Sequence, residues 1–112
     1  LVALSVLIHT GGLVLLGHAT PLAARRLRLH NHDLGRSLIM MFSILGIFAL
    51  HTVEVWIWAV SYDVLRVTET FSDALNLSTA MFSTVGYGQI VINPTWRLLT
   101  ALEGINGFIL IG

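Results

Sequence analysis

Residues Thr84, Val85, Gly86, Tyr87 and Gly88 are the part of this chain best suited to chemistry, and the chemistry is coordination by backbone oxygens. Gly86 and Gly88, at alternate positions, let the backbone adopt left-handed conformations that a side chain would penalise. The carbonyls of Thr84, Val85, Gly86 and Tyr87 can then point to one side, with the Thr84 hydroxyl at the inner end. Four such loops meeting on one axis replace the water shell of a potassium ion with carbonyl oxygens. The plain alternative is a glycine-rich turn between two apolar segments.

Ionisable residues inside apolar runs are the second signal. His51 and Glu54 lie one turn apart in the run 38–60 and share a helix face, and Glu103 lies in the run 96–112. Both carboxylates fall about 10–12 Å below the outer interface at 1.5 Å per residue. An isolated charge at such a helix centre costs about 2.5–3.5 kcal/mol or more, so each needs a partner or a wet interior. His51, Glu54 and Glu103 are expected to hydrogen-bond behind the 84–88 loop, to Ser78 or Thr79, and hold its backbone in place. Alternatively, one carboxylate faces water and the other is neutralised without consequence.

The remaining histidines read less sharply. His9 and His18 are nine residues apart and do not stack on one helix face. His30 and His32 sit in a loop, where a metal site is a weak candidate. Gly104 and Gly107 are three apart rather than the four of the helix-packing motif. Asn76-Leu77-Ser78 matches a glycosylation acceptor but falls within an expected helix.

The elements that must position these residues follow from composition and hydropathy. The chain has 112 residues, of which 55% are hydrophobic and 11% charged. With a mean hydropathy of +0.83 it belongs to the membrane class rather than the soluble one. It contains no cysteine, which excludes disulfides and thiolate metal sites. A formal net charge of zero argues against a nucleic-acid partner. All six basic residues are Arg, and four of them fall within 25–36.

Taken in order, residues 1–19 are apolar and just long enough to span about 30 Å of hydrocarbon. Thr20-Pro21 is expected to end that helix. The loop 20–37 carries Arg25, Arg26, Arg28 and Arg36 and is placed in the cytoplasm by the positive-inside rule. Residues 38–60 form the longest span, with Trp56, Trp58 and Tyr62 as an aromatic belt at its outer end. Thr70-Phe71-Ser72-Asp73 approximates a capping box opening a short helix over 71–82, too short to cross a bilayer. The whole segment 61–94 is thus extracytoplasmic or re-entrant, and 96–112 is a third span. The expected fold is an all-α membrane protein: three transmembrane helices, a re-entrant pore helix and a filter loop, in a fourfold assembly.

The arrangement over 38–112 resembles the pore domain of tetrameric potassium channels, closest to the small bacterial members of the two-transmembrane ion-channel family with an additional N-terminal helix. The resemblance implies a filter at Thr84, Val85, Gly86, Tyr87 and Gly88, with K+ held at the first four. It also implies passive potassium conduction, assembly with three further copies in a bacterial inner membrane, and no enzyme chemistry or cofactor beyond the permeant ion. Ser83 stands where the family usually has a second threonine, and Gly107 falls near the inner-helix hinge glycine. Gln89 replaces the usual aspartate and brings no charge to the outer mouth. No helix carries arginine at every third position, so the voltage-sensor pattern is missing. A less selective cation channel is the near alternative. From another class, His9, His18, His51 and Glu54 would serve a haem- or metal-binding helix bundle.

Overall fold

The computed structural model describes residues 1–27, 33–86 and 90–112. Among them every regular element is a helix: α1 (Val2–Arg26), α2 (Asp33–Val64), α3 (Phe71–Phe82), a 3-10 turn (Pro94–Trp96) and α4 (Arg97–Ile111). The molecule is elongated, 56 × 25 × 22 Å, because α1 and α2 run side by side. At 1.5 Å per residue α2 alone is about 48 Å long.

Two helix boundaries differ from the sequence expectation. Helix α1 does not end at Thr20 but runs through Pro21 to Arg26. Proline removes one N–H from the ladder, and within a span neighbouring helices and hydroxyl side chains can compensate. Here α1 packs along α2, and the Thr20 hydroxyl donates to the Leu16 carbonyl at 2.8 Å. Helix α2 begins at Asp33, inside the expected loop 20–37, and extends past residue 60 to Val64. An acidic residue in the first turn favours the N-terminal end of the helix dipole, which helps Asp33 start it there.

Among the described residues, helices α1 and α2 are long and apolar enough to cross a membrane. Their outward faces are apolar as well: Leu7, Leu15 and Phe48 are each 70% exposed or more. A water-facing surface would place polar groups there; an acyl-chain surface accepts them. The inner faces are complementary. Gly46 receives Leu16 of the facing helix, where a Cβ would lie 2.6 Å from Leu16 Cδ1, and Gly12 receives Leu50 in the same way. Trp58 Nε1 donates to Ser5 Oγ at 3.0 Å, with both residues fully buried.

The core lies where α3 packs against both α2 and α4. Trp58, Ala59, Tyr62, Ala74, Leu77 and Phe82 form it. This changes the reading of the aromatic belt. Trp58 and Tyr62 are 0% exposed, and only Trp56 remains at the surface, edge-on to Phe71. Glu54, Trp58 and Tyr62 stand at i, i+4 and i+8, so the buried stripe of α2 passes through all three. Helix α4 is 15 residues, about 22 Å, and carries a buried stripe of Thr100, Glu103, Asn106 and Gly107.

Candidate functional site

Helix α3 sets the position of the stretch that follows it. Thr70 caps its start: the Oγ1 accepts from the Asp73 amide at 3.1 Å and donates to Asp73 Oδ2 at 2.8 Å. At the other end Ser83 and Thr84 amides donate to the Thr79 and Met81 carbonyls, and the Gly86 amide reaches back to Ala80. The Thr79, Ala80 and Met81 carbonyls in the last turn of α3 therefore have partners. Thr84 occupies the first position past the cap with φ 61, where glycine is usual. A β-branched residue with positive φ is strained, typically by about 1–3 kcal/mol. Gly86 is also left-handed, φ 63. Alternate residues of the stretch thus share one handedness, and Thr84, Val85 and Gly86 are all exposed. Thr84 and Gly86 line a groove of about 340 Å³ with Thr100, Gly104 and Phe108 of α4. Tyr87, Gly88 and Gln89 lie outside the described residues.

Behind this stretch Glu103, 0% exposed, is the junction of three helices. Tyr62 of α2 donates its hydroxyl to Glu103 Oε2, and Ser78 of α3 lies 2.5 Å from Oε1. Ser78 Oγ is also 2.9 Å from the Val55 carbonyl. A hydroxyl has one proton, so Ser78 donates to one of these acceptors at a time. Each alternative keeps α3 attached to a neighbouring helix.

Glu54, likewise 0% exposed, belongs to a second and separate cluster. His9 Nδ1 is 3.0 Å from Oε1 and His51 Nδ1 is 2.9 Å from Oε2. The two imidazoles stack at 5.3 Å, and His51 meets the Phe82 ring at 5.6 Å. Of the residues expected to hydrogen-bond behind the 84–88 loop, the two carboxylates have different partners: Glu54 takes two histidines and Glu103 takes two hydroxyls. Of the two hydroxyls considered, Ser78 reaches Glu103, whereas Thr79 donates to Leu75 within its own helix. Ser83 similarly donates to the Thr79 carbonyl at 2.6 Å. His9, which the sequence joined to His51 and Glu54 only in the haem- or metal-binding alternative, is a full partner of Glu54. His18 is not, since its Nδ1 contacts the Val14 carbonyl on an exposed face.

Gly107 lies within a continuous α4, directly against the end of α3. A Cβ there would collide with the Phe82 carbonyl oxygen and lie 2.8 Å from both its carbon and its Cα. The absent side chain is what lets α4 approach the residue two before Thr84.

A short helix, a strained stretch at its C-terminal end and a further helix packed against it lie together within one segment of the chain. Residues 50–112 match the family described as an ion channel, with two membrane-spanning segments. The chain belongs to this ion-channel family. Neither the curated proteins nor the solved structures provide a match to it. The match covers Glu54, the Glu103 junction, α3, residues 84–86 and α4 of the channel, while α1 and His9 lie outside it. The channel is a membrane protein, and its Glu54 and Glu103 within the helices are accordingly paired and turned inward.

Missed from sequence were the hydrogen-bonding roles of Ser5, Trp58 and Tyr62, and Asn106, whose Nδ2 is buried without a partner among the described residues. A partial signal existed, since Tyr62 and Trp58 continue the stripe of Glu54 at four-residue spacing.

Proposed function

We propose that the chain is one subunit of a potassium-selective channel in which four copies surround a single axis. One conducting loop per chain requires several chains, and a head-to-tail interface with fourfold rotation closes into a ring. In this reading α3 is a re-entrant pore helix, α4 is the third, inner span, and Thr84, Val85, Gly86, Tyr87 and Gly88 form the filter. Carbonyls of the first four hold K+, and ions advance by repulsion between adjacent sites. The C-terminal end of α3 carries roughly half a negative charge and favours a desolvated cation below the filter. The basic segment 20–37 lies in the cytoplasm, and the membrane is a bacterial inner membrane.

The observation that carries this reading is the left-handed pair Thr84 and Gly86 within the Thr-Val-Gly-Tyr-Gly sequence. A threonine held at φ 61 is retained against its strain when its carbonyl and hydroxyl have work to do. Glu103, Ser78 and Tyr62 support the filter by fixing α3, and Ser83 supports it by closing the end of α3. His51 and Glu54 contribute through Phe82, and Gln89 sets an uncharged outer mouth. Gly107, which the resemblance makes a hinge, serves here as the contact point between α4 and Phe82.

The test is flux through reconstituted liposomes, with potassium and sodium gradients compared. Wild type is expected to pass potassium in preference to sodium, with block by barium. Gly86→Ala, which places a Cβ at φ 63, is expected to abolish that selective flux. Equal barium-sensitive flux in both proteins would refute the assignment.

A further inference from the structure

The His9–His51–Glu54 cluster is more than the packing of α1 on α2 requires. Three metal-ligating side chains from two helices converge, and their ligand atoms all lie within 4.8 Å of one another. Both imidazoles present the same nitrogen, Nδ1, to one carboxylate. Glu54 is wholly enclosed, whereas the His9 and His51 side chains are 11% and 20% exposed. The two imidazoles are thus partly uncovered in the single chain, while the carboxylate is enclosed. A buried carboxylate in an apolar span needs a partner, and a divalent cation shared with the two imidazoles would be one.

We infer that His9, His51 and Glu54 form a binding site for a divalent transition-metal cation of the zinc class. The ligands are the two Nδ1 atoms and one Glu54 oxygen, with water in the fourth position. Two imidazoles and a carboxylate suit zinc and its neighbours, whereas calcium and magnesium prefer oxygen donors. Ligand atoms around a tetrahedral zinc at 2.0–2.2 Å lie about 3.3–3.5 Å apart. The present contacts run to different oxygens, His9 Nδ1 to Oε1 at 3.0 Å and His51 Nδ1 to Oε2 at 2.9 Å, so the side chains must turn to bring both nitrogens to one oxygen. The ligand atoms start within 4.8 Å of one another. The site fastens the N-terminal helix to the outer helix beside the Phe82 ring, two residues before Thr84.

Zinc chloride alone, titrated calorimetrically into the purified full chain in detergent, tests the site without ion flux. One zinc per chain is expected, and cobalt(II) in its place should give the visible absorption of a tetrahedral complex. His9→Gln and His51→Gln should each weaken binding at least tenfold, and His18→Ala should leave it unchanged. Gel filtration and helical circular dichroism identify any variant that has lost its fold. No stoichiometric zinc uptake by wild type overturns the proposal. So does uptake that survives the His9→Gln/His51→Gln double substitution in folded protein. Because the readout is binding, a negative result leaves the channel reading intact, and a failure of potassium flux leaves this site intact.

Discussion

Gly107→Ala is the most discriminating substitution the structure offers, because the obstacle is backbone. The new Cβ would lie 2.8 Å from the Phe82 carbonyl carbon and Cα, against 3.4 Å for ordinary contact, so the two must part by about 0.6 Å or more. A flexible side chain could rotate away; the carbonyl of Phe82 cannot, because it ends α3 and leads into residues 83–86. Overpacking of this kind costs about 1–3 kcal/mol. Alanine is a better helix former than glycine by about 0.8–1.0 kcal/mol, which offsets part of it. A net loss of roughly 1–2 kcal/mol corresponds to a fall in melting temperature of several degrees for a domain of this size. Gly104→Ala is the internal control. Its Cβ would meet the Met81 carbonyl at 3.5 Å, an ordinary contact, so the propensity gain is uncompensated and stability should be equal or higher. Thermal unfolding in detergent, followed by tryptophan fluorescence, compares the two. The displacement falls two residues before Thr84, so potassium-over-sodium selectivity should decline in Gly107→Ala and persist in Gly104→Ala. A Gly107→Ala protein as stable and as selective as wild type would refute the close-approach argument.

Tyr62→Phe removes the α2 donor to Glu103 and should lower stability by about 1–3 kcal/mol, the cost of unpairing a buried group. Its melting temperature should fall clearly below that of Trp56→Phe, a change at an exposed ring. Trp58→Phe frees the buried Ser5 hydroxyl and loosens α1 from α2; faster amide exchange confined to α1 would be the readout, and unchanged protection there would count against the link. Pro21→Ala restores an N–H within a continuous helix and is expected to raise the melting temperature, in contrast to its effect if Thr20 had been the helix end.

Sequence alone determined what depends on composition and on neighbours along the chain. Hydropathy and length placed the molecule in a membrane, and the Thr70–Asp73 spacing marked a cap that the structure contains, because such a bond closes within one turn. The glycine at 86 was legible as a left-handed position for the same local reason. The burden on Glu54 and Glu103 was also legible, since a charge in an apolar run must find a partner wherever that partner is.

Which partner each one took was decided only by tertiary structure. His9 and Glu54 are 45 residues apart and Tyr62 and Glu103 are 41 apart, so rotation of α1 about α2 and of α4 against α3 selects the pairs. The same packing overrode proline at position 21 and drew Trp58 and Tyr62 inward from the interface. For residues 84–86, part of a five-residue motif, the sequence raised carbonyl coordination as an expectation. The close approach of α4 at Gly107 and the three-helix junction at Glu103 determined where in the fold that stretch is held.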